Sequence, residues 1–161
     1  MKRILGLFSI IILAAFTAEA QTLKFGHINS DELIQAMPEF DSANVKLEKL
    51  QKELMNTLEL MSVELNNKSE TYNKESKNYT DLVRQTKEQE LVDLNRRIQD
   101  FQTNAQSQFQ NRQIELLQPI YAKVDKALKD LGKENGFVYI FDIAKGGLVF
   151  YDETKSTNVM P

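Results

Sequence analysis

Apolar residues recur at helical spacing through the middle of this chain and at strand spacing only near its two ends. Plotted at 100° per residue from Leu54, the side chains of Ala43, Leu47, Leu50, Leu58, Met61, Leu65, Tyr72 and Tyr79 fall within about 40° of one line. So narrow a seam belongs to a helix that packs against few partners. Beyond Leu58 the seam keeps a heptad period, but its slots at Lys68 and Glu75 carry charge. Apolar packing should therefore fade toward the middle of the sequence. A second seam follows in Leu91, Leu94, Ile98, Phe101, Ala105, Phe109, Leu116, Ile120, Val124, Leu128 and Leu131. Asp93 and Arg97 stand i,i+4 on its outer face. Leu131-Gly132 signals the helix end, where Lys129 and Lys133 suit the negative pole of the macrodipole. Pro119 lies inside this pattern and predicts a kink or a split, because it removes one hydrogen bond and crowds a carbonyl. A single helix over 41–131 would be about 135 Å long with a polar centre. Two antiparallel arms of about 60 Å are expected instead, turning near Thr80–Lys87.

The ends read differently. Thr22–Ile28 mixes β-formers with alternation and predicts a strand. Asn29, Ser30 and Asp31 can cap a short helix over Glu32–Met37 that Pro38 ends, and Asp41 or Ser42 can cap the next. Near the other end, Phe137–Ile143 and Leu148–Tyr151 flank Ala144-Lys145-Gly146-Gly147, which predicts a β-hairpin. These strands are apolar on both faces, so each face needs a cover. Three short strands are marginal alone. Copies of the chain are expected to meet here, through Leu23, Phe25, Ile28, Val138, Ile140, Phe141, Ile143, Leu148 and Phe150.

Composition narrows the class. The chain has 161 residues, and neither Gly nor Pro lies between Pro38 and Pro119. That leaves no turn residues for a sandwich or barrel and no Gly-rich turns for a doubly wound fold. The expected class is α+β, mostly α: a long antiparallel helical hairpin on a small β body. Met1-Lys2-Arg3, the apolar run Ile4–Phe16 and Ala18-Glu19-Ala20 have the three parts of a signal peptide cleaved after Ala20. The apolar run would make about 20 Å of helix, short of a bilayer core of roughly 30 Å. Cleavage would leave 18 basic and 22 acidic residues, a net charge of −4. The expected division is then 1–20 signal peptide, 21–40 first strand and short helix, 41–134 helical arm, and 135–161 hairpin and tail.

Little in the sequence promises catalysis. There is no Cys and a single His, so no thiolate chemistry and few metal sites can be built. Nucleotide, zinc-protease and nucleophile-elbow motifs are missing, and Lys145-Gly146-Gly147 precedes a strand rather than a helix. No enzyme, cofactor or metal is expected, and His27 reads as structural. The span 68–87 carries five basic residues, Lys68, Lys74, Lys77, Arg84 and Lys87, against three acidic ones. Such a tip could attract anionic clients or make weak contact with a lipid surface, but nucleic acid needs a far more basic face. Apolar residues off the seam, Met55, Leu60, Val63, Val83 and Val92, are the candidate contacts for a client.

Phe25-Gly26-His27-Ile28-Asn29-Ser30, the Gly- and Pro-free helical hairpin and the closing Gly136-Phe137-Val138-Tyr139-Ile140-Phe141-Asp142 together resemble the Skp/OmpH family of periplasmic chaperones. The resemblance covers nearly all of the mature chain. It implies a homotrimer in which strands of three chains form a body and three helical arms enclose a cavity. In that reading the cavity holds unfolded outer-membrane proteins without ATP. The best-known members of the family are strongly basic, whereas this mature chain is acidic. The alternative is an envelope coiled-coil scaffold or spacer that binds one folded partner.

Overall fold

A computed structural model of the protein describes residues 23–161. The expected signal peptide lies outside them. The chain divides into two compact units, one made of the residues up to Asn29 together with Lys129–Pro161, the other of Ser30–Leu128. The fold is α+β and mostly α.

The first unit is built on a three-stranded sheet of β1 (Lys24–Ile28), β2 (Phe137–Asp142) and β3 (Ser156–Asn158), in the order β2-β1-β3. Both pairings are parallel, with Gly26 opposite Ile140 on one side and Thr157 on the other. Parallel neighbours need a crossover of a dozen or more residues. The helices supply it between β1 and β2, and residues 143–155 carry the chain from β2 to β3 on the other side of β1. The antiparallel hairpin expected around Gly146-Gly147 does not form. Asp142 Oδ1 accepts the Ala144 N–H at 3.0 Å and turns the chain off the end of β2. Leu148–Tyr151 then runs without strand pairing, with Val149 and Phe150 exposed, and the third strand lies further on.

The third strand is fastened by His27. Its Nδ1 lies 2.9 Å from Ser156 Oγ, its ring packs on Tyr151 at 4.7 Å, and its carbonyl accepts the Val159 N–H. A buried polar ring needs such partners, and the C-terminal segment provides them. Gly26 sits tightly here, since a Cβ would stand 3.1 Å from both Phe137 and Val159 and would push one of them aside by a few tenths of an ångström. Gly136, at φ +69°, ends the last helix in the left-handed conformation that glycine adopts without strain.

The second unit is helical. It holds α1 (Ser30–Gln35), α2 (Pro38–Glu75), a 3-10 turn at Ser76–Asn78, and the part of α3 (Asp81–Glu134) up to Leu128. Pro38 opens α2 as well as closing α1, so the start lies ahead of Asp41 and Ser42; Met37, extended at φ −84° and ψ 127°, is the N-cap and makes no side-chain bond. The reversal falls at 76–80, just before the expected Thr80–Lys87, all but Thr80 of which is helical. Thr80 is the reason: its Oγ1 accepts the Val83 N–H and its carbonyl the Arg84 N–H, a cap that starts α3 at once. Pro119 does not split α3.

Three contacts across the helix pair fix it as antiparallel. Lys123 meets Glu39, Lys68 meets Glu90 at 3.9 Å, and the Tyr72 hydroxyl donates to Glu88. Every seam residue is at least half-buried, as the periodicity predicts. At the root, Ile34, Ala43, Ile120 and Val124 form a buried core, with Leu33, Met37, Phe40, Leu116, Leu117 and Leu128 packed around it.

Candidate functional site

Packing along the arm does not fade steadily toward the reversal. Beyond the root the next tight stretch is distal, where Leu94 is 3% and Ile98 8% exposed. The register of Lys68 with Glu90 sets them against the large side chains of the Met61–Leu65 turn. Between root and distal stretch the seam is open. Leu50, Leu54 and Leu58 on α2, and Phe101, Ala105 and Phe109 on α3, are only half-buried. Ala105 contributes only a methyl group here, which reaches fewer partner atoms than a Leu or Phe would.

Two grooves flank this open stretch. One, of about 380 Å³, has Leu54, Leu58, Phe101, Ala105 and Phe109 as its floor, with Met55 at its mouth and Gln51, Gln102, Gln106 and Gln110 along its edges. None of those ten residues is charged. The other groove, of about 710 Å³, is lined by Lys46, Lys49, Glu53, Arg112 and Glu115 among polar neighbours. Four of its five charges are paired along each helix, Lys49 with Glu53 at 3.9 Å and Arg112 with Glu115 at 2.6 Å. A third groove, of about 430 Å³ at the root, is lined by the Lys123–Glu39 pair, whose hydrogen bond holds the Glu39 carboxyl below its usual pKa.

At the reversal, Tyr72 and Tyr79 lie 6.3 Å apart over a pocket of about 190 Å³ that Lys68, Lys87 and Glu90 also line. Hydrogen bonds to Glu88 and Glu75 raise the pKa of Tyr72 and Tyr79, and the bond from Lys87 lowers that of Glu90. The five basic residues of this stretch do not converge on one free surface. Lys68 faces Glu64 and Glu90, Lys74 faces Glu70, Arg84 faces Asp81 and Lys87 faces Glu90, all within 4 Å. Lys77 sits in the 3-10 turn.

In the sheet unit, Phe25, Tyr139 and Phe141 form a stacked row with centroid spacings of 6.3 and 5.8 Å. Tyr139 is 59% exposed, and Phe141 and Val138 are exposed beside it. Leu23 and Phe150 are exposed as well, Ile140, Ile143 and Leu148 are half-buried, and Ile28 is fully buried. The residues marked for self-association are thus split between an open aromatic row, an unpaired loop and the sheet's own interior. All five candidate client contacts, Met55, Leu60, Val63, Val83 and Val92, are exposed, and Met55 lines the charge-free groove. Sequence reasoning assigned the groove floor to the seam. The signal it passed over is the charge-free run Phe101–Asn111 with a small residue between two phenylalanines.

Among the described residues, no group of acids and histidines is arranged to hold a metal, and no helix is long and apolar enough to cross a membrane. A sequence profile of the family described as Outer membrane protein (OmpH-like) matches residues 24–160, and the chain belongs to that family. The family is a chaperone family, typically periplasmic. No curated protein sequence matches the chain significantly.

Proposed function

We propose that this member of the OmpH-like family is an ATP-independent holdase of the periplasm. It binds unfolded outer-membrane proteins and keeps them from aggregating. The observation that carries the reading is the open middle of the arm, where large apolar side chains stay only half-buried beside an uncharged groove. Such a surface offers many weak apolar contacts, and their sum can hold a client without nucleotide-driven work. The protein acts as a homotrimer: the exposed row of Tyr139 and Phe141 and the bare Val149-Phe150 loop need a cover, and copies of the chain supply it.

Suppression of aggregation is the direct test. A urea-unfolded β-barrel protein diluted into nucleotide-free buffer should stay soluble when the mature protein is present. The scaffold alternative leaves that client to precipitate. Light scattering should give a trimer mass at micromolar concentration, and Phe141→Asp should dissociate it by burying a carboxylate without a partner. A stable wild-type monomer would contradict the assembly. Client affinity should also survive physiological salt, where the screening length is about 8 Å, since four of the five tip cations already face carboxylates.

A further inference from the structure

The charge-free groove at mid-arm has a spacing that an extended chain segment can follow. Phe101, Ala105 and Phe109 stand four residues apart along its floor, and Gln102, Gln106 and Gln110 stand four apart along its edge. Four residues of α-helix advance about 6 Å. Two residues of an extended strand advance about 6.6 Å, and alternate side chains of a strand point the same way. Over the span from Phe101 to Phe109 the two repeats drift apart by only about 1 Å. Every second side chain of an extended segment therefore falls into register with the floor. Its outward main-chain amides fall into register with the glutamines.

The chemistry agrees with the geometry. A glutamine amide both donates and accepts, so a row of them can meet unpaired N–H and C=O groups of a strand in either direction. Among the described residues, Gln51, Gln102, Gln106 and Gln110 commit no side-chain atom to a protein partner. Charge is excluded from this groove although 27% of the chain is charged. A charged client side chain would lose hydration here and find no counter-ion. The groove on the opposite side of the same helix pair has the reverse character, with three cations and two acids. Met55, 62% exposed at the mouth, adds a flexible thioether that adapts to different apolar side chains.

We infer that this groove is a strand-reading subsite, whose ligand is a neutral, extended segment of about five residues with alternate apolar side chains. That is the pattern of a transmembrane β-strand, whose apolar and polar residues alternate. The inference rests on the holdase reading and adds to it the class of segment gripped and the place that grips it.

The test uses the full mature protein and two dye-labelled peptides of identical neutral composition. In one, Val and Phe alternate with Thr and Ser; in the other, the apolar residues are gathered at one end. Fluorescence anisotropy should show the alternating peptide binding at least about tenfold tighter, a difference of roughly 1.4 kcal/mol. Ala105→Leu, which fills the floor, should abolish that preference and weaken an unfolded β-barrel client by about tenfold. Met55→Gln, at an exposed position that leaves the fold undisturbed, should weaken the alternating peptide about threefold. Ser107→Leu, in the opposite groove, should stay within about twofold of wild type. Equal binding of the two peptides, or an Ala105→Leu protein that keeps wild-type affinity for the unfolded client, overturns the subsite and leaves the holdase standing. A wild-type protein that fails to bind the unfolded client at all removes the holdase reading itself. A change of assembly mass in Ala105→Leu would show that the groove seats another copy of the chain, and would overturn the inference as well.

Discussion

The root of the arm and its middle are made from the same two helices and pack in opposite ways. At the root, α1 closes over the pair, and Ile34, Ala43, Ile120 and Val124 are excluded from water. At the middle, two helices face each other alone, and Leu54, Leu58, Phe101, Ala105 and Phe109 stay half-exposed beside an uncharged groove. Both places have an alanine on the seam. Ala43 is 3% exposed because a third helix brings large side chains over it, whereas Ala105 has no such neighbour and leaves a gap. A seam residue therefore does not fix its own burial. The number of elements that reach it does.

Truncation should separate the two regions most strongly. Ile120→Ala removes fully buried methylenes and should cost about 2–5 kcal/mol in urea denaturation. Leu54→Ala, at a half-exposed site beside an existing gap, should cost no more than about 1–2 kcal/mol. Equal losses would mean that the middle is as closely packed as the root.

Enlarging the two alanines should change stability in opposite directions. Ala43→Leu overfills the root and should destabilise by about 1–3 kcal/mol. Ala105→Leu fills open space and should stabilise by up to about 1 kcal/mol in the same denaturation. A loss at both positions would show that the mid-arm gap is smaller than its groove suggests.

A smaller effect concerns charge at the root. The hydrogen bond from Lys123 lowers the Glu39 carboxyl below its ordinary pKa, so the pair stabilises the folded state above the unfolded carboxylate pKa. That contribution is lost as pH falls through the lowered folded value. Melting curves of wild type and Glu39→Gln should therefore differ slightly at neutral pH and converge in acid. A difference that grows in acid would have the wrong sign.

Much of this organisation was legible in the sequence. The two seams named the buried positions of α2 and α3 correctly, because a 3.6-residue period leaves little freedom in which face turns inward. The resemblance carried by Phe25–Ser30 and Gly136–Asp142 led to the right family. Strand pairing was less legible. The Phe137–Ile143 and Leu148–Tyr151 runs look like a hairpin locally, yet β1 takes both neighbours in parallel, and the partner that fastens β3 is a His27–Ser156 bond across 129 residues. No local window contains such a contact. The reversal was legible only approximately: Thr80 caps the second arm, and a single capping threonine is a weak signal without Gly or Pro beside it. The mid-arm groove was missed because periodicity reports which face packs and says nothing about how well.

Hydrogen exchange, with and without an unfolded β-barrel client, tests the central claim most directly. Exchange reads local opening residue by residue, and opening should cost least where the seam is open. Alone, the spans 50–58 and 101–109 should exchange faster than the root around Ala43, Ile120 and Val124 and faster than the distal stretch around Leu94 and Ile98. With client bound, the two mid-arm spans should slow by at least about tenfold, while the root stays unchanged. Client protection that appears elsewhere and leaves both mid-arm spans unaltered would contradict the account.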